Sequence, residues 1–92
     1  MQGKKLSLFI EALYINPEME FEYAGKKYLA SGYRNDNNEY LLRVDTIESA
    51  SCQIFFVQDA DVQKCVEAFE QARLFDGRTI YEAHDEITVI YG

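Results

Sequence analysis

The residues best suited to chemistry in this chain are few: one histidine, two cysteines and a set of carboxylates crowded into the second half. His84 lies in Glu82-Ala83-His84-Asp85-Glu86, where an adjacent carboxylate can orient an imidazole for general-base work near neutral pH. Adjacency in sequence does not assemble a site, and a solvated surface histidine explains the run more simply. Cys65 is the only thiol to pair with it as a nucleophile on a helix, and the apolar face on which Cys65 is expected disfavours a thiolate. Asp59 and Asp61 alternate and Asp85 adjoins Glu86, but a calcium loop needs more oxygen ligands at regular spacing and usually a central glycine. Helix capping accounts for Asp59 and Asp61 with fewer assumptions.

Cys52 and Cys65 stand thirteen positions apart, and with a single histidine they do not complete a four-ligand zinc set. Both are expected to be small reduced core residues, with a disulfide between them left to geometry. The five glycines are isolated, so no phosphate-binding loop is formed, and Gly-x-Ser-x-Gly and His-Glu-x-x-His are both missing. The expectation is a chain with no cofactor, no metal and no catalytic role.

What remains is charge. Sixteen acids against nine bases give a net charge of −7. Residues 1–46 carry seven acids and six bases, whereas residues 47–92 carry nine acids and three. The negative field therefore belongs to the second half. Asp59, Asp61, Glu67, Glu70, Asp76, Glu82, Asp85 and Glu86 are the candidate partner-binding residues, forming a face suited to a basic protein surface. Direct nucleic-acid binding is disfavoured because the same field repels phosphates. Apolar runs such as Ile54 to Val57 are far shorter than the roughly 20 residues of a membrane span, so a cytoplasmic protein is expected.

The elements that must position these residues follow from periodicity. Leu6, Phe9, Ile10 and Leu13 mark one face of a helix over Lys4 to Tyr14, stopped by Asn16-Pro17. Met19, Phe21 and Tyr23 alternate with Glu18, Glu20 and Glu22 in a strand, and Ala24-Gly25-Lys26 turns it into a second strand over Lys27 to Gly32. That hairpin is expected to bring Lys26 and Lys27 within reach of Glu20 and Glu22. A third strand spans Glu39 to Asp45, and after a polar break over Thr46 to Ser51 a fourth spans Cys52 to Gln58. The apolar density of Ile54 to Val57 marks that fourth strand as central and buried on both faces. Val62, Cys65, Val66, Phe69 and Ala72 then keep helical spacing to about Arg73. Asp76-Gly77 turns the chain, Thr79 caps a short helix over Ile80 to Ala83, and Ile87 to Tyr91 is a terminal strand.

The fold class is thus a single α+β domain over residues 1–92, in the order αββββααβ, with helices on one face of an antiparallel sheet. Seven tyrosines, mostly expected at the edge of the core, leave open an aromatic surface on the other face.

The hairpin Phe21-Glu22-Tyr23-Ala24-Gly25-Lys26-Lys27-Tyr28, with Ser31-Gly32 and the Phe75-Asp76-Gly77 turn, resembles small uncharacterised proteins of Gram-positive bacteria and their phages. The resemblance implies a compact helix-plus-sheet unit and carries over no catalytic residues. In size, acidity and the run Asn35-Asp36-Asn37-Asn38-Glu39-Tyr40 leading into a strand, the chain is also similar to the small acidic phage proteins that block type II CRISPR nucleases by mimicking DNA. That likeness implies an inhibitor whose partner is a nuclease with a basic channel. The competing expectation is a structural or housekeeping module that associates, as a homodimer or with another protein, through an aromatic sheet face or an edge strand.

Overall fold

A computed structural model describes residues 1–48 and 50–92 of the chain. The expected α+β order is present: α1 (Leu6–Ala12), β1 (Glu18–Tyr23), β2 (Lys26–Arg34), β3 (Tyr40–Ile47), β4 (Ser51–Asp59), α2 (Val62–Gln71), α3 (Ile80–Ala83), a 3-10 turn (His84–Glu86) and β5 (Ile87–Tyr91). The strands form one antiparallel sheet in the order β4-β3-β2-β1-β5.

Alternation decides which side of each strand meets the helices. Met19, Phe21 and Tyr23 of β1, Tyr28 and Ala30 of β2, Tyr40, Leu42 and Val44 of β3, and Ile87 and Val89 of β5 are all buried. Phe9 and Leu13 of the first helical segment join Cys65, Val66 and Phe69 of α2 and Phe75, Ile80 and Ala83 beyond it to close this core. Phe9 meets Phe21 edge-on at 5.5 Å and Phe69 at 6.1 Å, so one ring links both helices to the sheet. α1 stops short of Tyr14 because its last turn tightens, with Leu13, Tyr14 and Ile15 donating to carbonyls three residues back.

The β1–β2 reversal has two residues, Ala24 at φ 52° and Gly25 at φ 78°, the doubly left-handed geometry that matches the twist of paired strands. Asp76 (φ 55°) and Gly77 (φ 80°) repeat it, with Arg78 N–H and Phe75 O closing the turn at 3.0 Å. At Gly32 the reason for glycine is space: an added Cβ would stand 2.9 Å from the Tyr40 hydroxyl and 3.0 Å from Pro17 Cδ. That hydroxyl donates to Leu13 O at 2.7 Å, so the missing side chain lets β2 pass beneath the contact that ties β3 to the end of α1.

Three expectations are corrected. β4 is an edge strand, not a central one, because β5 returns beside β1 and leaves the fourth meander strand outermost. Its apolar run is used on one face: Phe55 and Val57 pack inward, Phe55 lying 5.8 Å from Phe69, while Phe56 points away and is 45% exposed. Ile54 is absorbed by a bulge, since Val44 pairs with Phe55 and Asp45 with Gln53. Cys52, just before the bulge, is consequently exposed, while Cys65 is buried, and both thiols are free. The hairpin sets Lys27 directly opposite Glu22 as expected, with Lys26 opposite Tyr23; among the described residues neither lysine enters an ion pair, and the Lys27 backbone N–H donates to Glu48 Oε1 at 2.6 Å. The break expected over Thr46 to Ser51 is shorter, and its Ser49 lies outside the described residues.

Candidate functional site: an acidic groove between two helices

α2 owes its start to two aspartates acting in series. Asp59 Oδ1 accepts from the Asp61 N–H at 2.8 Å, and Asp61 Oδ1 accepts from the Gln63 N–H at 2.9 Å. Cys65, Val66 and Phe69 turn inward, which leaves Glu67 and Glu70, one helical turn apart, toward solvent. The inward Cys65 thiol donates to Tyr40 O at 3.4 Å, and burial raises its pKa, so it is an unreactive packing residue.

α3 owes its start to a capping box. Thr79 Oγ1 accepts from the Glu82 N–H at 3.4 Å, and Glu82 Oε1 accepts from the Thr79 N–H at 2.9 Å. That backbone hydrogen bond, with help from Arg73, holds the Glu82 carboxyl below its ordinary value. Arg73 spans the gap, with Nη1 at 3.2 Å from Glu82 Oε1 and 3.0 Å from Gly77 O.

Between the helices lies a groove of about 480 Å³ lined by Glu67, Glu70, Gln71, Arg73, Thr79 and Tyr81. The Tyr81 hydroxyl donates to Glu70 across it, and this bond, with burial second, pushes the phenol up to about 12. Tyr14, 37% exposed after α1, borders the same surface. Partial burial raises its pKa, and the charges of Glu70, Glu67 and Asp61 push it further in the same direction. The phenol is thus raised by burial first and by Glu70 and Glu67 of α2 and the Asp61 cap after it. No ion pair among the described residues uses Asp61, Glu67 or Glu70.

The other candidate acids are placed differently. Asp76 accepts from the Tyr23 hydroxyl at 3.2 Å, while Arg78 Nη2 donates to that same hydroxyl at 2.7 Å and pairs with Glu86. Its guanidinium also lies 5.7 Å from the Tyr23 ring centre, and its hydrogen bond to that hydroxyl raises the arginine's pKa. Glu82 and Glu86 thus each face an arginine, and Asp76 is held in a tyrosine contact. Asp85 is free to solvent except for His84 Nδ1, 3.5 Å away. His84 itself is half-buried, less open than the solvated surface histidine expected. Of the eight candidate acids, the fold lines the groove with Glu67 and Glu70 and spends Asp59, Asp61, Asp76, Glu82 and Glu86 largely on internal contacts.

The opposite face of the sheet, which the helices leave uncovered, carries features that half-by-half charge counting missed. Glu18, Glu20 and Glu22 project along β1, and none of them forms an ion pair among the described residues. Arg43 grips Asp45 there with two bonds of 3.0 and 2.9 Å. Of the seven tyrosines, Tyr23, Tyr28 and Tyr40 are buried, and Tyr14, Tyr33, Tyr81 and Tyr91 are exposed. On the open face Tyr33, Phe56 and Tyr91 occupy different cross-strand rows, with Arg43, Ser31 and Glu18 or Glu20 beside them, so the aromatics do not merge into one apolar patch.

No protein family, curated protein or solved structure matches the chain. No group of three or more described His, Cys, Asp or Glu side chains is arranged to hold a metal ion, and no described helix is long and apolar enough to cross a membrane.

Proposed function

We propose that the protein is a non-catalytic acidic binding module whose groove face, built from Glu67, Glu70 and Tyr81 with Tyr14 and Asp61 on the surface around it, engages the basic surface of a partner protein. The observation that carries this reading is that Glu67 and Glu70, one turn apart on α2 and without ion-pair partners among the described residues, line one groove with Tyr81, whose hydroxyl donates to Glu70. Such a surface attracts an arginine or lysine cluster, and its two tyrosines add apolar area with hydrogen-bonding tips at low entropic cost. Asp59, Asp76, Glu82, Asp85 and Glu86 extend the field around it, though their internal partners reduce what each adds.

The finer reading is an inhibitor from a phage or other mobile element that occupies the nucleic-acid channel of a host nuclease. A channel evolved to hold phosphates is a dense run of arginine and lysine, the counterpart this face requires. The test is inhibition of DNA cleavage by a guide-loaded type II CRISPR nuclease over a series of salt concentrations. The reading expects inhibition that weakens as salt rises and that disappears in Glu67→Lys/Glu70→Lys.

A further inference from the structure

Beside β5 the chain makes a contact that belongs to no strand. Gln2 forms a parallel bridge to Thr88: its N–H donates to Ile87 O at 3.0 Å, and its carbonyl accepts from the Val89 N–H at 2.8 Å. Lys4 Nζ donates to Gly92 O at 2.7 Å, so the segment 1–5 is tied along β5 and just beyond its end. Met1 and Leu6, on either side, are partly buried against the core. Gly3 lies at φ 83°, and a Cβ added there would stand 2.2 Å from Val89 O. That oxygen is backbone of the sheet, so only a residue without a side chain lets the segment lie so close.

The ladder register separates this contact from the rest of the sheet. In the two-residue hairpin, Tyr23 and Lys26 form the hydrogen-bonded pair next to the turn, so Phe21 and Tyr28 are the next such pair and the backbone groups of Glu22 face β5. Glu22 stands opposite Thr88, which therefore spends its N–H and C=O on β1. Ile87 C=O and Val89 N–H point the other way and are the two groups that Gln2 takes. The Ile87 N–H closes the 3-10 turn on His84 O. Neighbours in one strand thus serve different partners, Thr88 the sheet and Val89 the segment 1–5. The two closures are also unequal: β1 pairs with β5 at four positions, whereas the segment pairs at Gln2 alone, and Gln2, Gly3 and Lys5 are exposed. Few buried contacts and solvent-exposed backbone bonds put an element at the low end of local stability.

We infer that residues 1–5 are a latch that opens and closes over β5 as a unit while the five-stranded sheet stays intact. Closed, the latch gives β5 a neighbour on each side. Open, it leaves Ile87 C=O and Val89 N–H as the free groups of an edge strand. Gly3 sets how closely the latch seats, and Lys4 holds its far end on Gly92. No residue lining the acidic groove takes part in these contacts, so the latch and the groove are separate devices.

Native-state hydrogen exchange at three amides is the test, each rate corrected for intrinsic exchange: Val89 reads the latch, Thr88 the docking of β5 on β1, and Phe21 the pairing of β1 with β2. In the wild type Val89 should exchange at least about tenfold faster than its neighbour Thr88, the mark of a separate local opening. Gly3→Val cannot seat against Val89 O, and it should speed Val89 by about another tenfold while Thr88 and Phe21 stay within about twofold. Gly25→Val is the control, since it carries a similar backbone penalty at φ 78° with nothing within 4 Å. It should leave Val89 unchanged, because opening of the latch does not pass through global unfolding. The wild-type comparison needs no variant and stands even if a substituted chain fails to fold. Equal protection of Val89 and Thr88 in the wild type, a Gly3→Val chain in which the two move together or Val89 does not move, or a Val89 that speeds up in Gly25→Val overturns the inference.

Discussion

The Tyr81 hydroxyl donates to the Glu70 carboxylate across eleven residues, joining a four-residue helix to a ten-residue one on the side away from the sheet. The bond fixes the far wall of the groove and holds the Glu70 charge in place beside Tyr14. It also makes the groove's electrostatics readable by titration.

Ultraviolet titration of the phenols should resolve Tyr81 at about 12. Glu70→Gln removes the charged acceptor, and the Tyr81 transition should move back toward the ordinary 10.0. Tyr14 should fall in the same variant, since Glu70 is the largest charge acting on it. The sign for stability follows from the protonated form being favoured in the fold. The contribution of Tyr81 is complete below pH 10 and is lost as pH rises through its folded value, so alkaline unfolding should begin earlier in Tyr81→Phe than in a variant that alters neither partner.

The capping box predicts an acid-side effect of opposite sense. Glu82 is held below its ordinary 4.5 in the fold. Its contribution is therefore present above that pH and is lost as pH falls through the folded value. Thr79→Ala should cost about 1 kcal/mol in urea unfolding at neutral pH, whereas Glu82→Gln, which removes the titrating carboxyl, should flatten the acid limb.

Phe69 is 1% exposed and its ring meets both Phe9 and Phe55, so Phe69→Ala should cost about 3–5 kcal/mol. Much of a small domain's stability is of that size. The midpoint of chemical unfolding should drop sharply, or the chain should fail to fold.

At the β1–β2 turn, Ala24 sits at φ 52° although alanine pays a steric cost there, whereas asparagine is favoured before glycine in this turn. Ala24→Asn should raise stability by about 0.5–1 kcal/mol. Gly25→Ala should lower it by about 1 kcal/mol, since open space around the position leaves only the backbone penalty at φ 78°.

Much of this arrangement is legible in the residues themselves. Met19, Phe21 and Tyr23 alternate with three glutamates and bury as alternation requires; Thr79 and Glu82 announce their own cap. What the chain conceals is lateral order. Ile54 to Val57 looks like a strand buried on both faces, because apolar density does not distinguish two covered faces from one covered face, a bulge and an exposed ring. The placement of β4 at the edge depends on β5 closing against β1, a contact between residues more than sixty positions apart.

The groove was equally concealed. Asp61, Glu67 and Glu70 stand out as acids, but nothing local links them to Tyr14 or Tyr81, and nothing local shows that Glu82 and Glu86 meet Arg73 and Arg78. Counting charge by halves located the excess acids correctly while treating paired and unpaired carboxylates alike. It also passed over Glu18, Glu20 and Glu22, whose lysine neighbours do not neutralise them in the fold.

That stripe supplies the control for the most direct measurement. Cleavage by a guide-loaded type II CRISPR nuclease is followed with wild-type protein, with Glu67→Lys/Glu70→Lys on the groove, and with Glu18→Lys/Glu20→Lys on the open face. The proposed groove predicts inhibition by the wild type and by the open-face variant, and none by the groove variant. Absence of inhibition by the wild type contradicts the nuclease reading, and inhibition that survives the groove reversals contradicts the groove as the binding face.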